Sequence, residues 1–344
     1  MTAVAEHPPA DVVDADPALS VEGLTVDIRT IRGKVRAVND VSFAARRGET
    51  LALLGESGCG KSMTATALVG LLEPVAEVTA GSAVLTASDG ASADLLAVDG
   101  KARRRLAGTE LAIVFQDALT ALNPLYTVGT QLAEPFRIHQ GMKAKEAKRR
   151  AVELMARVGI PQPESRLNSY PHQFSGGMRQ RLLIAMAVAL NPRVLIADEP
   201  TTALDVTVQA GIMALLRSLR TEYDMAVVLI THDLALVAEE ADRVAVMYAG
   251  NIVETGLVSE VFANPRHPYT KGLLDSVPVS AVRGEELKSI GGSPPDLHSI
   301  PKGCAYQARC PLVADVCRTD RPALTVVGSR HHAACHFPKE VVNV

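Results

Sequence analysis

A glycine-rich segment near the start of the chain has the residue types and the spacing of a phosphate site. Residues 55–62 read GESGCGKS and fit the pattern G-x-x-x-x-G-K-[ST] in full. The segment follows an apolar run that predicts a buried strand and precedes a run that predicts a helix, which is the context that the motif needs. Backbone N–H groups of such a turn point at phosphate oxygens, and the helix N-terminus adds a favourable dipole. The segment therefore predicts a nucleotide phosphate site.

The side chains at the end of this segment suit a magnesium nucleotide. Lys61 is expected to supply positive charge to the β- and γ-phosphates, and the hydroxyl of Ser62 to ligate Mg²⁺. Cys59 is expected to contribute only its backbone. The predicted nucleotide contacts in this part of the chain are Gly55, Ser57, Gly58, Cys59, Gly60, Lys61, Ser62 and Met63.

A pair of carboxylates stands at the end of a second apolar run. Residues 194–200 read VLIADEP, which predicts a buried strand that ends in two acidic residues. Ligands of open α/β sheets bind at the rim where the strands end, so both carboxylates are expected there. Asp198 is predicted to hold Mg²⁺, directly or through water, and Glu199 to activate the attacking water as general base. A solvated acidic turn is the alternative interpretation, which the matching loop upstream disfavours.

The remaining pattern predicts the elements that position these groups. Residues 19–45 alternate apolar and polar side chains, as antiparallel strands do. Short β-branched runs at 194–197 and 227–230, with a helical segment between them, indicate a parallel sheet. From about 100 to 175 the pattern is helical. The sequence thus predicts an α/β fold with an antiparallel β part and a helical part.

Composition and segment lengths exclude several classes of protein. The 344 residues are 47% hydrophobic with a formal net charge of −3, so a sizeable core is expected and a broad nucleic-acid surface is not. The basic run KARRR at 101–105 lacks interleaved aromatic residues and is interpreted as a solvated face. The longest apolar run, 182–190, is too short to cross a bilayer. Residues 1–18 are acidic and proline-rich, which predicts a disordered tail and not a secretory signal.

Four of the five cysteines lie near the end of the chain. Cys304, Cys310, Cys317 and Cys335 follow the spacing C-x5-C-x6-C-x17-C, which is not the paired C-x-x-C of zinc ribbons. Disulfides are disfavoured because nothing in the chain predicts secretion. Spacing alone leaves open a zinc site, an iron–sulfur cluster or four unligated thiols. Because the C-terminal segment that carries these cysteines is short and rich in turns, a bound metal would stabilise its structure. A redox or regulatory role of the metal is the alternative.

Further segments resemble the sequence motifs of ABC-type ATPases, the ATP-binding cassettes. FSGGMRQR at 174–181 resembles their signature motif, although two of its positions depart from the usual residues. Gln116 in IVFQD is similar to the Q-loop, ALD at 203–205 to the D-loop, and His232 in LITHD to the switch histidine. The resemblance covers about residues 19–262.

This resemblance implies a P-loop NTPase fold of the ABC cassette type, with a RecA-like core, an antiparallel β subdomain and a helical subdomain at about 100–175. It implies that Ser175, Gly176 and Gly177 contact the γ-phosphate held by the opposite subunit, since backbone N–H groups at a helix start form an anion site. Two composite ATP sites would then form between two cassettes, which close on ATP and open after hydrolysis.

The resemblance also implies roles for other single residues. Gln116 would sense the γ-phosphate and join Ser62 and Asp198 around Mg²⁺, and His232 would position the γ-phosphate. Cassettes of this kind usually stack adenine on an aromatic residue before the second strand, and Arg32 in RTIRGKV stands at that position here. A guanidinium can stack on a base, so Arg32 is a candidate for adenine binding, with a plain solvated arginine as the alternative.

The C-terminal part resembles the region after the cassette in ATP-binding subunits of dipeptide and oligopeptide importers. NPRHPYTKGLLDSVP at 264–278 and GGSPPDLHSIPKGCAYQARCP at 291–311 carry this resemblance. ADEPTTALDVTVQA at 197–210 is similar to the D-type subunit of such importers. After the tail, the implied domains are a nucleotide-binding domain at 19–262 and a C-terminal extension with a small cysteine-rich metal site at 263–344.

This second resemblance implies an ATP-hydrolysing subunit that energises peptide uptake from the cytoplasmic face of the membrane. Its partners would be a second, F-type ATPase subunit, two transmembrane permease subunits and an extracytoplasmic peptide-binding protein, with no nucleic acid. It further implies a [4Fe–4S] cluster on the four late cysteines, with zinc as the alternative. Import of nickel or another small solute, or a soluble cassette ATPase acting on nucleic acid or ribosomes, are the alternative functions.

Overall fold

The computed structural model describes residues 17–117, 121–202, 204–276 and 290–341. Most of the predicted disordered tail lies outside the described residues, and so does Ala203, the first residue of the segment that resembles a D-loop. The described residues form two β-sheets and a set of helices. The predicted site lies at the carboxyl ends of the parallel strands of the larger sheet.

The smaller sheet is antiparallel and follows from the alternating pattern near the start of the chain. Leu24 pairs with Val41 and Val26 with Val38, and all four side chains are buried. The prediction of antiparallel strands in residues 19–45 is therefore confirmed. In spatial order the strands are β2 (Gly33–Ala45), β1 (Leu19–Thr30), β4 (Ala76–Thr86) and β5 (Ser92–Asp94).

The larger sheet contains the parallel strands that the β-branched runs predict. In spatial order its strands are β11 (Thr325–Gly328), β12 (His331–Ala333), β10 (Asn251–Leu257), β9 (Arg243–Tyr248), β3 (Thr50–Leu54), β8 (Ala226–Thr231), β7 (Val194–Asp198) and β6 (Leu111–Val114). The strands from β9 to β6 run parallel, and β3, β7 and β8 are buried along their whole length. Continuous apolar runs are expected for strands that are covered on both faces.

Helices surround the larger sheet, and one group of them forms a helical part with its own share of the core. Phe136, Met155 and Ile184 belong to one buried cluster that joins this part to the sheet. The helices of the described residues are α1 (Lys61–Val69), α2 (Gly100–Leu106), α3 (Val128–Gln140), α4 (Ala144–Arg157), α5 (Pro163–Arg166), α6 (Gly176–Ala187), α7 (Val206–Tyr223), α8 (Leu234–Glu240), α9 (Val258–Ala263), α10 (Pro268–Asp275) and α11 (Asp315–Thr319).

The interval 100–175, which the sequence predicts as helical, also contains a strand. Strand β6 lies inside it and pairs with β7 at the edge of the larger sheet. A short apolar run such as LAIV has no visible period, so sequence alone does not separate a buried strand from a helix. The basic run at 101–105 forms α2, where Arg103 contacts the carbonyl of Leu95.

The C-terminal extension is joined to the cassette by a shared sheet. Strand β12 pairs with β10 through Glu254 and Ala333, and β11 continues beyond it. Pairing in this way covers the edge of β10, which would otherwise present unpaired N–H and C=O groups. Residues 277 and 278, the last two of the importer-like segment, lie outside the described residues. The predicted boundary at residues 262 and 263 falls at the end of α9.

No helix within the described ranges is both long and apolar enough to cross a membrane.

Candidate ATP site and cysteine cavity

The phosphate loop connects β3 to α1, and its glycines are required by close approaches of backbone. Gly60 precedes α1 with a φ of 111°, and a Cβ there would lie 2.7 Å from the carbonyl oxygen of Ala37. A Cβ at Gly55 would lie 2.2 Å from the carbonyl oxygen of Met247. The loop is therefore packed between the smaller sheet and β9, and a side chain at either glycine would push the loop away from these strands.

Lys61 and Ser62 open helix α1 and turn toward the loop and the carboxylates. The Nζ atom of Lys61 is buried and donates hydrogen bonds to the carbonyls of Gly55 at 2.7 Å and Glu56 at 3.1 Å. The Oγ atom of Ser62 donates to Oδ1 of Asp198 at 3.1 Å. Burial raises the pKa of Asp198, against the lowering effect of the hydrogen bond from Ser62. A cation beside Asp198 would favour its ionised form.

Glu199 stands one residue past β7, and three side chains hydrogen bond with its carboxylate. Gln116 Nε2 donates to Oε2 at 3.0 Å, Thr202 Oγ1 donates to Oε2 at 2.8 Å, and His232 Nδ1 lies 3.0 Å from Oε1. Burial acts to raise the pKa of Glu199, but the hydrogen bonds from His232 and Thr202 outweigh it and hold the pKa below its ordinary value. The carboxylate is thus kept ionised, as a general base must be.

The structure brings most of the predicted catalytic and magnesium residues together. Ser62 meets Asp198, and Glu199 meets Gln116 and His232, at the carboxyl ends of β3, β7, β8 and β6. These ends lie on one edge because the strands are parallel. Thr202 is a further contact of Glu199 that was not predicted, although it lies only three residues beyond the predicted base in the sequence.

The signature segment and Arg32 belong to other elements, namely the start of α6 and the turn between β1 and β2. Ser175 caps α6, where its Oγ accepts a hydrogen bond from the N–H of Met178 at 3.4 Å, and Gly176 and Gly177 form the first turn. Among the described residues, no hydrogen bond joins these three to the phosphate loop. Arg32 is exposed at the turn between β1 and β2.

The four late cysteines line one small cavity. Cys304, Cys310, Cys317 and Cys335 share it, together with His336, although they come from separate stretches of the extension. The N–H of Cys304 donates to the carbonyl of Cys317 at 2.8 Å, which holds two of these stretches together. All four are free thiols, so the structure does not support the disfavoured disulfide hypothesis.

Burial raises the pKa of three of the thiols in this cavity. It raises the pKa of Cys310 to about 11 and that of Cys335 to about 12, and it also raises the pKa of Cys304. No group of histidine, cysteine or acidic side chains in the described residues is arranged closely enough for a single metal ion. The four cysteines that line the cavity are nevertheless of the ligand type that zinc and iron–sulfur clusters take, and a bound metal would hold them as thiolates.

Comparisons with known proteins identify the family. The sequence matches the ABC transporter family over residues 38–202 and the oligopeptide/dipeptide transporter C-terminal region over residues 253–317. It is 49% identical to a putative peptide import ATP-binding protein of Brucella abortus over 93% of this chain and 96% of the relative. The dipeptide transport ATP-binding protein DppD of Bacillus subtilis is 49% identical, covering 93% of this chain and 94% of that protein.

The chain belongs to the ABC transporter ATP-binding proteins of the oligopeptide/dipeptide family. The dipeptide transport ATP-binding protein DppD of Escherichia coli is a further member, at 46% identity over 93% of this chain and 96% of its own. Members of this family are ATPases, and so is this cassette. The family assignment that the motifs predict is confirmed.

Solved structures confirm the cassette fold. A dimeric ATP-binding cassette in a post-hydrolysis state, bound to ADP and Pi, matches with a TM-score of 0.61 at 26% identity, covering 70% of this chain and 98% of that one. The cassette cbiO1 of Clostridium perfringens matches with a TM-score of 0.60 at 29% identity, covering 72% and 92%. Both matches cover much less of this chain than the peptide-import relatives do.

Proposed function

We propose that this cassette binds and hydrolyses ATP to energise the uptake of peptides through an ABC importer. The observation that carries the proposal is the meeting of Glu199 with Gln116 and His232, next to the contact between Ser62 and Asp198. This is the arrangement that hydrolysis of a magnesium nucleotide needs. The relatives are named as peptide import or dipeptide transport proteins, which supports peptides as the substrate and not nickel, nucleic acid or ribosomes.

Each residue of the site has a proposed role. Lys61 balances the charge of the β- and γ-phosphates, and Ser62, Asp198 and Gln116 hold Mg²⁺ when it is bound. Glu199 takes the proton of the attacking water, and its lowered pKa keeps it ionised at neutral pH. The remaining phosphate contacts are the backbone groups of Gly55, Ser57, Gly58, Cys59, Gly60 and Met63.

Other proposed contacts lie outside the phosphate loop. His232 orients the γ-phosphate, and its contact with Glu199 supports this role. Arg32 stacks on adenine from the exposed turn between β1 and β2, where a planar guanidinium can cover a base.

Hydrolysis is proposed to need a second cassette. Ser175, Gly176 and Gly177 begin α6, so their side-chain oxygen and backbone N–H groups suit a γ-phosphate held by the other subunit. A dimeric cassette with bound ADP and Pi among the structural matches supports such pairing. The partner is proposed to be a different, F-type chain.

The remaining partners follow from the proposed importer. Two transmembrane permease subunits would carry the peptide, an extracytoplasmic protein would deliver it, and the cassette would act at the cytoplasmic face of the membrane. The absence of a membrane-spanning helix in the described residues is compatible with this peripheral position.

The four late cysteines are proposed to hold a [4Fe–4S] cluster, with zinc as the alternative. Their shared cavity supports this proposal, and their donor chemistry fits either metal group. When bound, the group would cross-link separate stretches of the extension through metal–thiolate bonds, which is a structural role. Iron, acid-labile sulfide and zinc measured in protein purified without oxygen test this. About four irons and four sulfides per chain are expected, whereas one zinc without sulfide would contradict the cluster.

The proposed function is tested with the purified transporter in lipid vesicles. Transport of a labelled dipeptide should require ATP on the side of the vesicle membrane where the cassettes are. It should stop when Lys61 is replaced by Met. Uptake of nickel with no effect of dipeptides, or ATP hydrolysis that responds to ribosomes and not to peptide-loaded binding protein, would contradict the proposal.

A further inference from the structure

An arginine of the C-terminal extension reaches the phosphate loop. The guanidinium of Arg309 pairs with the carboxylate of Glu56, the second residue of the loop, through Nη1–Oε2 at 2.8 Å and Nη2–Oε1 at 3.0 Å. The side chain of Arg309 is only 4% exposed and that of Glu56 is 27% exposed. Two parallel hydrogen bonds between a guanidinium and a carboxylate fix both orientation and distance.

A tyrosine of the extension holds the backbone at the same point. The N–H of Glu56 donates to the hydroxyl oxygen of Tyr269 at 2.8 Å, and the ring of Tyr269, in α10, is fully buried. Lys61 meanwhile donates to the carbonyls of Gly55 and Glu56. The peptide groups on both sides of Glu56 are therefore held by the extension and by the lysine that is proposed to bind phosphate.

Arg309 is itself fixed by the extension and by β9. Its guanidinium carbon lies 5.8 Å from the ring centres of both Tyr248 and Tyr306, and Nε donates to the carbonyl of Gly291 at 2.9 Å. Such contacts leave a buried arginine little rotamer freedom. Its position, and through it that of Glu56, depends on the folding of the segment that also carries Cys310.

We propose that Arg309 and Tyr269 are positioning residues that hold the phosphate loop in its nucleotide-binding shape through Glu56. The inference rests on the proposed function and deepens it, because it makes ATP affinity depend on the C-terminal extension. An ion pair that merely docked the extension would affect unfolding without affecting nucleotide binding. The two alternatives are therefore separable by experiment.

The test measures binding of a non-hydrolysable MgATP analogue to the full chain by titration calorimetry. Tyr269→Phe keeps the buried ring and removes only the acceptor for the N–H of Glu56, while Glu56→Gln and Arg309→Gln break the ion pair. Each is expected to weaken binding on the order of tenfold, since small displacements in a positioned site are costly. Arg217→Gln is the matched control, because Arg217 pairs with Glu240 away from the loop, and it should bind like the unaltered chain.

A double variant decides whether Arg309 acts through Glu56. If it does, Glu56→Gln combined with Arg309→Gln should weaken binding no more than the stronger single change, because both remove the same contact. Equal affinities in all variants, even with lowered melting temperatures, would overturn the inference. If Arg309→Gln does not fold, Tyr269→Phe and Glu56→Gln decide alone. Failure of the unaltered chain to bind the analogue would overturn the proposed ATP-driven function, and the inference with it.

Discussion

At the scale of single residues, Glu199 combines an unfavourable backbone conformation with a carboxylate that three side chains hold in place. Its backbone adopts a φ of 45°, in the left-handed region that a residue with a side chain seldom occupies. Such a conformation costs about 1–3 kcal/mol and tends to persist where a function needs it. Hydrogen bonds with Gln116, Thr202 and His232 fix the carboxylate in return. Strain and fixed orientation together support the role of general base.

Replacing this carboxylate should separate binding from hydrolysis. Glu199→Gln is nearly isosteric, so ATP affinity should stay within a few-fold of the unaltered chain, while turnover falls on the order of a hundredfold or more because the base is lost. Binding by calorimetry and phosphate release by the assembled transporter check the two effects. Glu164→Gln, an exposed glutamate of α5, is the control. Normal turnover of Glu199→Gln would contradict the assigned role.

At the scale of elements, the joint between β10, β12 and α10 is organised around buried polar groups. Glu254 of β10 is completely buried, and its carboxylate accepts hydrogen bonds from the N–H groups of Arg266 at 2.6 Å and His267 at 2.9 Å, and lies 2.6 Å from Nε2 of His331. The ring of His267 in turn caps α10, because its Nδ1 accepts from the N–H of Tyr269. These contacts attach the extension to the cassette.

Removing one acceptor oxygen of Glu254 should loosen this joint. Glu254→Gln exchanges an oxygen acceptor for an NH₂ donor that faces other donors, so it is expected to lower the free energy of unfolding by about 2–3 kcal/mol. Urea unfolding followed by circular dichroism measures the change. Glu22→Gln, at an exposed position of β1, should alter stability by less than about 0.5 kcal/mol. Equal stability of both variants would show that the joint does not depend on Glu254.

Acid should destabilise the same joint through His267. Burial lowers the pKa of His267 from 6.5 to about 3, so below pH 6.5 the unfolded chain takes up a proton that the folded chain does not. Its contribution to stability is therefore complete above pH 6.5 and is lost as the pH falls toward 3. Between pH 7 and pH 5 this loss is about 2 kcal/mol.

An asparagine at this position keeps the cap and removes the titration. His267→Asn should therefore lose about 2 kcal/mol less stability than the unaltered chain between pH 7 and pH 5. Urea unfolding at both pH values gives the comparison, with His139→Asn at an exposed position as the control. Identical pH dependence of the His267→Asn variant and the unaltered chain would contradict this account.

At the scale of the whole molecule, the two proposed halves of the nucleotide site lie in different parts of the cassette, one at the carboxyl ends of the parallel strands and the other at the start of α6. The phosphate loop, Asp198 and Glu199 lie at the carboxyl ends of parallel strands, whereas Ser175 belongs to the helical part. A chain that carries both halves at separate places is suited to pairing with a second cassette, as in the dimeric relative of known structure.

A substitution at the signature serine should test this division. Ser175→Arg leaves the phosphate loop intact, so a single chain should bind the MgATP analogue as before. The assembled transporter should hydrolyse ATP on the order of a hundredfold more slowly, because the γ-phosphate loses contacts from the opposite subunit. Calorimetry and phosphate release give the two values. Loss of binding by the isolated chain would instead place Ser175 in the site of its own subunit.

The sequence by itself determined the features that depend on neighbouring residues. The phosphate loop, the carboxylate pair after β7 and the antiparallel strands follow from spacing within one short segment, because a turn, a strand end or an alternating face is a local property. The cassette fold and the peptide-import family follow from such segments taken in order. The four cysteines were visible in the same way as candidates for one metal site.

Only the tertiary structure decided which distant residues meet. Glu56 and Arg309 are 253 positions apart, and no period or motif links them. The motifs predicted one site for Gln116 and Glu199, but the direct hydrogen bond between these side chains is seen only in the folded structure. Strand β6 was not predicted because its short apolar run fits a strand or a helix equally well. Its pairing with β7 in the folded chain makes it a strand. The link from the extension to the phosphate loop exists because buried polar groups need partners, and chain folding alone determines which partners are near.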